Sequence, residues 1–561
     1  MVDNKAQQQA VLGIDLGSSA ARAMIVASGD GRILGEGEAA YASGIDGVLT
    51  DPGDPDVARQ NPSDYFAAVA DAVGMAMTAA GAVRVAGIGV CATGSTPVPV
   101  TARMQPVASL PGMDNRPAAQ AWMWKDHSAA AEAEEFAAAL TRDDPARLAA
   151  TGGATSSEWF WAKLLKLLCA DPEVGALTEA FVELQDFVPA VLCGLGDVAG
   201  LVRGVCAAGH KGHWDPAQGG WPDGAILSSL HPDLLRAAGP LGEPSSHTRP
   251  AGALSAEWAG RLGLEPGIPV AAGLLDAHAG ALGAGVASGR LVRIMGTSSC
   301  DIAVVGGAAR AVPTSGLAGA VDGSVVPGLV GVEAGQAAVG DLFAWAARLL
   351  RPGEPTGAAI ADLSALAARL EPGESGLVAL DWNNGNRSVL MDPALSGLVI
   401  GQTLATRPEH VFRAMLEASA FGARRILDQF EAAGVPVKEI TVSGGVITRN
   451  DLARAILADV LGVPIAVSGA GQASARGAAI TASVAAGLHP DIAAAQAAMV
   501  PPPEATAVPD PARAATYARL YRHYLSLHDA FGRGAGPLSG VMRDLRALRQ
   551  AATSSSQGAQ A

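Results

Sequence analysis

The sequence predicts an α/β protein made of two halves of like architecture, and three observations carry that expectation. The chain opens strand–turn–strand: VLGID at 11–15 is a short apolar run, GSS at 17–19 a turn, and ARAMIVAS at 21–28 a second strand before the GDGR turn. A like opening recurs in mid-chain, where RLVRIMGTSSCDIAVVGGAARAV at 290–312 reads as strand, Gly-Thr-Ser turn, strand and Gly-Gly turn. Strands alternate with helices after each opening, which is an α/β order.

In the first half, ILGEGEAAY continues as a third strand. Residues 61–81 have helical apolar spacing with a cap at Ser63 or Asp64, and VAGIGVC at 85–91 is a buried strand. In the second half the pattern predicts helices at about 335–350 and 408–433, a strand at 439–445, a helix at 450–462, a strand at PIAVSG and a helix at 474–487. The boundary falls near 286–291, after GALGAGVASG, so the units expected are 10–287, 288–535 and a tail, 536–561. Residues 351–376 are rich in Pro and Gly and read as a surface insertion. The polar end, AATSSSQGAQA, reads as a tail without structure.

Composition excludes several classes. The chain has 561 residues, 49% hydrophobic and 17% charged, which is globular rather than disordered. A net charge of −15 argues against wrapping nucleic acid and requires any anionic ligand to be held locally. The 5 cysteines are widely spaced without a C-x-x-C, so a disulfide framework is not expected and a reducing cytoplasm fits. No stretch reaches the ~18 apolar residues of a membrane helix, and the start has no signal-peptide pattern. Lysine is confined to Lys5, Lys125, Lys163, Lys166, Lys211 and Lys438, so each lysine in a special setting is of interest.

Several constellations can carry chemistry. Asp15 ends a buried strand and is followed by Gly17, Ser18, Ser19 and Arg22. A carboxylate beside a small-residue turn suits Mg²⁺ with phosphates, and it is equally an ordinary hairpin with a solvated acid. Gly296 and Thr297 form the matching turn of the second half, and two facing hairpins can clasp a triphosphate. Asp276 lies between IPVAAGLL and HAGALGAG, where it can be a helix cap or a base for a substrate hydroxyl. Trp124, Lys125 and Asp126 crowd behind Trp122, with apolar faces for carbon and polar tips for hydroxyls. His210 and His213 bracket Lys211, but no third ligand of fitting spacing is nearby, so no metal is expected there. Gly444 and Gly445 end a buried strand, where a flat or anionic ligand can meet the backbone. Neither G-x-x-x-x-G-K nor G-x-G-x-x-G occurs.

Taken in order, GIDLGSSAARAMIV, GLLDAHAGALGAG, IMGTSS, VFRAMLEASAFGAR and ITVSGGVITRNDLARAILADVLGVPI resemble the FGGY carbohydrate kinases over about residues 10 to 530. The segments ATGSTPVPV, WMWKDHSAAAEAEEF, CAAGHKGHW and ALDWNNGNR are similar to members acting on L-ribulose. The resemblance implies two actin-like, ribonuclease-H-like domains with a catalytic cleft between them. It implies ATP and Mg²⁺ as cofactors and ATP-dependent phosphorylation of L-ribulose to its 5-phosphate, in L-arabinose catabolism. Small-molecule sugar and MgATP are then the partners, in the cytoplasm, and a homodimer is compatible.

By position, the resemblance makes Asp276 the general base and Asp15 the Mg²⁺ residue. Gly94, Ser95, Trp124, Lys125, Asp126, Lys211, Asp276 and Glu333 fall on the sugar side. Gly17, Ser18, Ser19, Arg22, Gly296, Thr297, Gln336, Gly444, Gly445 and Asn450 fall on the nucleotide side. Two positions depart from the family pattern: Cys91 stands where an acid is usual, and Arg449 where Asn or a small residue is usual. Alternatives are a kinase for D-ribulose, ribitol or xylulose, a sugar sensor without activity, and a filament or chaperone of the actin-like superfamily. The retained Asp15 and Asp276 argue against the sensor, and the WKDH and AGHK segments have no role in the filament.

Overall fold

The structure is a computed structural model that describes residues 9–306, 315–534 and 536–558. Two seven-stranded sheets organise it. In the first, Gln9–Leu16 pairs antiparallel with Ala20–Ala27, which pairs antiparallel with Ile33–Ala40. On its other side Gln9–Leu16 runs parallel to Arg84–Ala92, which runs parallel to Pro269–Ala271, and Pro250–Ala253 closes that edge antiparallel. The second sheet repeats this plan over six strands, the seventh lying beside Arg84–Ala92 in the first sheet (Leu274–Leu275) and beyond the edge in the second (Gly319–Asp322). Gly289–Met295 pairs antiparallel with Ser299–Val305, and that strand with Val330–Ala334. Gly289–Met295 also runs parallel to Val437–Ser443, which runs parallel to Ile465–Val467, and Ala505–Ala507 closes the edge antiparallel. The duplication expected from two turn motifs is thus a duplication of whole-sheet topology. The Gly-Gly turn expected after 305 extends into 307–314, outside the described residues.

Local chemistry sets the elements. The helix Pro62–Ala80 starts at Asn61, whose side-chain oxygen accepts from the Ser63 N–H at 3.0 Å. Asn61, not Ser63 or Asp64, is therefore the cap; Asp64 instead accepts from Ser43 N at 2.8 Å and ties the loop after the third strand. The 351–376 region is not a surface insertion. It contains the helix Thr356–Ala367, whose Ala359, Leu363 and Ala367 are fully buried, one helical turn apart. Arg413 of the long helix Pro408–Ala432 donates to Ala367 O at 3.0 Å and Leu370 O at 3.2 Å, satisfying that helix's end. The Pro and Gly residues flank this helix rather than interrupt it. The end of the chain is also helical, over Val541–Gly558, so its Ser-rich stretch continues a helix; residues 559–561 lie outside the described residues.

Two helices join the sheets. The helix Asp276–Gly283 packs on the second sheet, with Ala279 in one core with Val292 and Ile302. The helix Ala473–Ala485, from the 288–535 span, packs on the first sheet, where a Cβ at Gly13 would meet Ala475 O at 1.9 Å. The two helices cross at backbone contact: a Cβ on Gly477 would lie 1.8 Å from Ala279 O, and one on Gly283 2.0 Å from Ala473 O. Neither carbonyl can swing aside as a side chain would. Gly477→Ala is therefore expected to cost about 1–3 kcal/mol by overpacking, read as a lower denaturant midpoint at unchanged slope. Full stability in that variant would mean the helices separate freely.

Candidate active site

The site lies where the parallel strands of both sheets end. Asp15 stands opposite Cys91 in the register of the first sheet, and Leu274 and Leu275 stand opposite Cys91 and Ala92 on the other side. Asp15 and Asp276 therefore leave neighbouring strand ends that flank one central strand. That is the edge where loops of such sheets gather ligands. In the second sheet Ile294 pairs with Ser443, so Gly296–Thr297 and Gly444–Gly445 leave the same edge side by side.

Asp15 is buried at the cleft floor. The Cys91 thiol donates to its Oδ1 at 3.4 Å, and Arg22 Nη1 stands 3.7 Å from its Oδ2. Burial raises its pKa and Arg22 opposes this. Burial pushes the Cys91 thiol well up, so Cys91 bonds Asp15 as a neutral donor. The departure at 91 thus acts on Asp15, and it removes a charge without removing a hydrogen bond. Asp276 heads the Asp276–Gly283 helix, partly open to the cleft, and accepts from Ala277 N at 2.7 Å. Burial, with the charge of Asp15 adding to it, pushes Asp276 up to about 7. A carboxylate poised there can accept a proton from a hydroxyl near neutral pH.

The turns are open to the cleft. Ser19, Gly296, Thr297 and Gly445 are exposed. Trp124 donates from Nε1 to Ser18 Oγ at 2.9 Å, and Gln60 Nε2 to Ser18 O at 2.9 Å, which ties the aromatic segment to the first turn. The Gly296–Thr297 carbonyls accept from Gly340 N at 3.0 Å and Val339 N at 2.8 Å, anchoring that turn to the helix Gly340–Leu350. Arg449 folds back over the second glycine pair, donating from Nε to Gly445 O at 3.3 Å.

The halves meet at a buried charge cluster. Lys211, on the helix Val205–Gly212, places Nζ 3.3 and 3.4 Å from the two carboxylate oxygens of Glu333, on the strand Val330–Ala334. Burial is the largest influence on both and opposes both charges, but the partner together with other nearby charges outweighs it. Lys211 is held above its usual range and Glu333 down to about 2. Gly94 lies against Leu275, the residue before Asp276, so closely that a Cβ at 94 would touch its side chain at 2.0 Å.

Family models match both halves: the N-terminal domain of the FGGY family of carbohydrate kinases over residues 10–283, and its C-terminal domain over residues 291–486. The chain belongs to the FGGY family of carbohydrate kinases. Among its relatives, this FGGY kinase is 38% identical to a ribulokinase of Shouchella clausii, over 96% of this chain and 98% of that protein. It is 40% identical to a ribulokinase of Mycolicibacterium smegmatis over 96% of each. In three dimensions it is similar to a xylulose kinase from Rhodospirillum rubrum, with a TM-score of 0.79, 27% identity, and coverage of 93% of this chain and 99% of the other.

Within this FGGY kinase, four residues expected to contact ligands are committed elsewhere. Asp126 is fully buried: it pairs with Arg59 and accepts from Ala58 N at 2.7 Å and Ser128 Oγ at 2.6 Å. It braces the aromatic segment from behind. Ser95 is fully buried and donates to Glu183. Gln336 donates to Asp381 at 2.6 Å and Ser419 O at 3.0 Å and accepts from Arg293, which uses its whole amide. Asn450 caps the helix Asp451–Leu461 through Ala453 N at 3.0 Å and donates to Ser364 at 3.0 Å. Lys125 is exposed. Sequence reasoning also missed Lys163. Its ammonium is fully buried and donates to Ser95 O at 2.8 Å and Met123 O at 2.9 Å, holding the 94–96 loop to the aromatic segment. Its scarcity was the available signal, but its apolar helix reads as core.

Proposed function

We propose that this kinase transfers the γ-phosphoryl group of ATP to the terminal hydroxyl of L-ribulose, giving the 5-phosphate and ADP. The observation that carries the reading is the convergence of Asp276, Lys211 and Glu333, from both halves of the chain, on one cleft beside two open turns. The relatives named ribulokinase support the choice of sugar.

The sugar rests against Gly94 and Trp124, and Lys211 and Glu333 offer a donor and an acceptor to its hydroxyls. Asp276 accepts the proton of the terminal hydroxyl, whose oxygen forms a bond to the γ-phosphorus as the bond to the β-phosphate oxygen breaks. Such transfer asks chiefly for positioning and charge neutralisation. The Ser18–Ser19 and Gly296–Thr297 turns supply N–H and hydroxyl donors to the phosphates, and Gly444–Gly445 lies against adenosine. Asp15 fits Mg²⁺: among the described residues its Oδ2 meets Arg22 at 3.7 Å, a loose contact, and its burial disfavours an unrelieved charge. Bound there, the ion neutralises phosphate charge. Closure of the two halves excludes water as a competing acceptor. Among the described residues no helix is long and apolar enough to cross a membrane, and a cytoplasmic setting suits the substrates.

The test is initial rates of ADP formation with L-ribulose, D-ribulose, D-xylulose, ribitol, glycerol and D-ribose at fixed MgATP. An inverted hydroxyl leaves Lys211 or Glu333 unpaired, at about 1–3 kcal/mol, so D-ribulose and ribitol are expected to be slower by roughly one to two decades. Highest kcat/KM with D-xylulose or glycerol would overturn the choice of sugar and leave the kinase.

A further inference from the structure

Beside the Lys211–Glu333 pair lie two imidazoles with unusual surroundings. His210 and His278 are each 1% exposed, with ring centroids 4.6 Å apart. Ser324 Oγ donates to Val321 O at 3.1 Å, so at its 3.0 Å contact with His210 Nε2 it accepts. In that arrangement Nε2 carries the hydrogen and Nδ1 presents its lone pair. Among the described residues Nδ1 has no hydrogen-bond partner, and it stands 3.6 Å from Glu333 Oε2. His278 Nε2, also without a hydrogen-bond partner, stands 3.7 Å from the same oxygen. Burial keeps both rings neutral at ordinary pH. An unprotonated nitrogen facing a carboxylate oxygen in a buried site is a pair of acceptors that repel unless a cation joins them.

A small cation satisfies all three atoms. Tetrahedral Zn²⁺ with bonds of about 2.0–2.2 Å sets its ligand atoms roughly 3.3–3.6 Å apart, close to the two distances to Glu333, and all three atoms lie within 4.8 Å of one another. The Ser324 hydroxyl does what an outer hydrogen bond does for a metal-bound histidine, fixing tautomer and ring direction. Gly319 keeps the space open, since a side chain there would begin 3.2 Å from His210 Nδ1. The ammonium of Lys211 opposes a cation, but Oε1 of Glu333 can keep it.

We propose that His210, His278 and Glu333 form a binding site for a divalent transition ion, Zn²⁺ by its donor set, that pins the two halves together. Nitrogen donors with one carboxylate oxygen favour Zn²⁺ or Co²⁺ over Mg²⁺, so the ion is distinct from the one at Asp15. It also takes the oxygen of Glu333 that the proposed function gives to the sugar. Zn²⁺ is therefore an inhibitor that raises the apparent sugar KM about 10-fold or more at unchanged kcat; this competition alone rests on the functional reading.

The test titrates the full chain, carrying Cys169→Ser to remove an exposed thiol, with Zn²⁺ by calorimetry and with Co²⁺ by visible absorption, without sugar or nucleotide. One equivalent is expected, with a tetrahedral Co²⁺ spectrum. His210→Gln and His278→Gln should each abolish it, and Ser324→Ala, which keeps all three ligands, should weaken it about 10- to 100-fold. Absence of binding in the parent chain, or binding indifferent to all three substitutions, overturns the site. Binding that depends on the histidines but survives saturating L-ribulose upholds the site and counts against Glu333 as a sugar contact.

Discussion

Asp276→Asn is expected to lower kcat by about 10²–10⁴ while leaving sugar binding largely intact, the loss typical of removing a general base. The same variant should be more stable than the parent above neutral pH. The Asp276 carboxyl titrates at about 7 in the folded chain against about 3.9 when unfolded. Between those values the folded state binds more protons, so this group's contribution to stability falls as pH rises through the window. Above pH 7 its full penalty is present, up to about 4 kcal/mol, and asparagine removes it. Denaturant melts at pH 4 and pH 8 read this directly: the stabilisation should be about 4 kcal/mol at pH 8 and below about 1 kcal/mol at pH 4. In the parent enzyme, kcat/KM should drop as pH falls below about 7 as the base protonates. A variant keeping more than about half the parent kcat would remove Asp276 from the reaction.

What was legible in the sequence follows the range over which each signal acts. The places of Asp15, Gly296, Thr297 and Gly444 were legible because a strand end and a small-residue turn are local patterns, and the structure leaves all of them at the sheet ends. The helix at 356–367 was missed because the prolines and glycines at its flanks outweighed a period carried by small residues, Ala359 and Ala367, whose hydrophobic signal is weak. Asp126 and Gln336 were misread because their partners, Arg59 and Asp381, lie far away in sequence. A polar residue in a ligand-like segment looks the same whether it faces the cleft or braces it from behind. His210 teaches the same lesson in reverse. Its neighbour in sequence, His213, turns into the left-handed region and packs its ring on Phe136 and Trp159. The groups that meet His210, His278 and Glu333, are far along the chain.

Lys211→Ala should raise the sugar KM about 10- to 150-fold, the worth of a charge-assisted hydrogen bond, and the ATP KM far less. The lysine acts twice. It donates to the sugar directly in the proposed reading, and it holds Glu333 ionised at about 2. Without it, burial is opposed only by Arg387 and the two imidazoles, and the carboxyl moves up toward the neutral form. The acceptor then becomes a donor on one oxygen, and hydroxyls placed to donate meet a proton. The KM increase should accordingly grow as pH is lowered, because protonation of Glu333 becomes easier. Lys211→Arg restores charge but not shape, since a planar fork replaces a compact ammonium in a packed site, so rescue should be partial. Because Glu333 lies on a strand of the second sheet and Lys211 on a helix of the first half, the pair also stabilises closure. Loss of that closure would show as faster ATP hydrolysis without sugar. If ATP affinity fell while sugar affinity held, Lys211 would belong to the nucleotide side, and the division of the cleft argued above would be wrong.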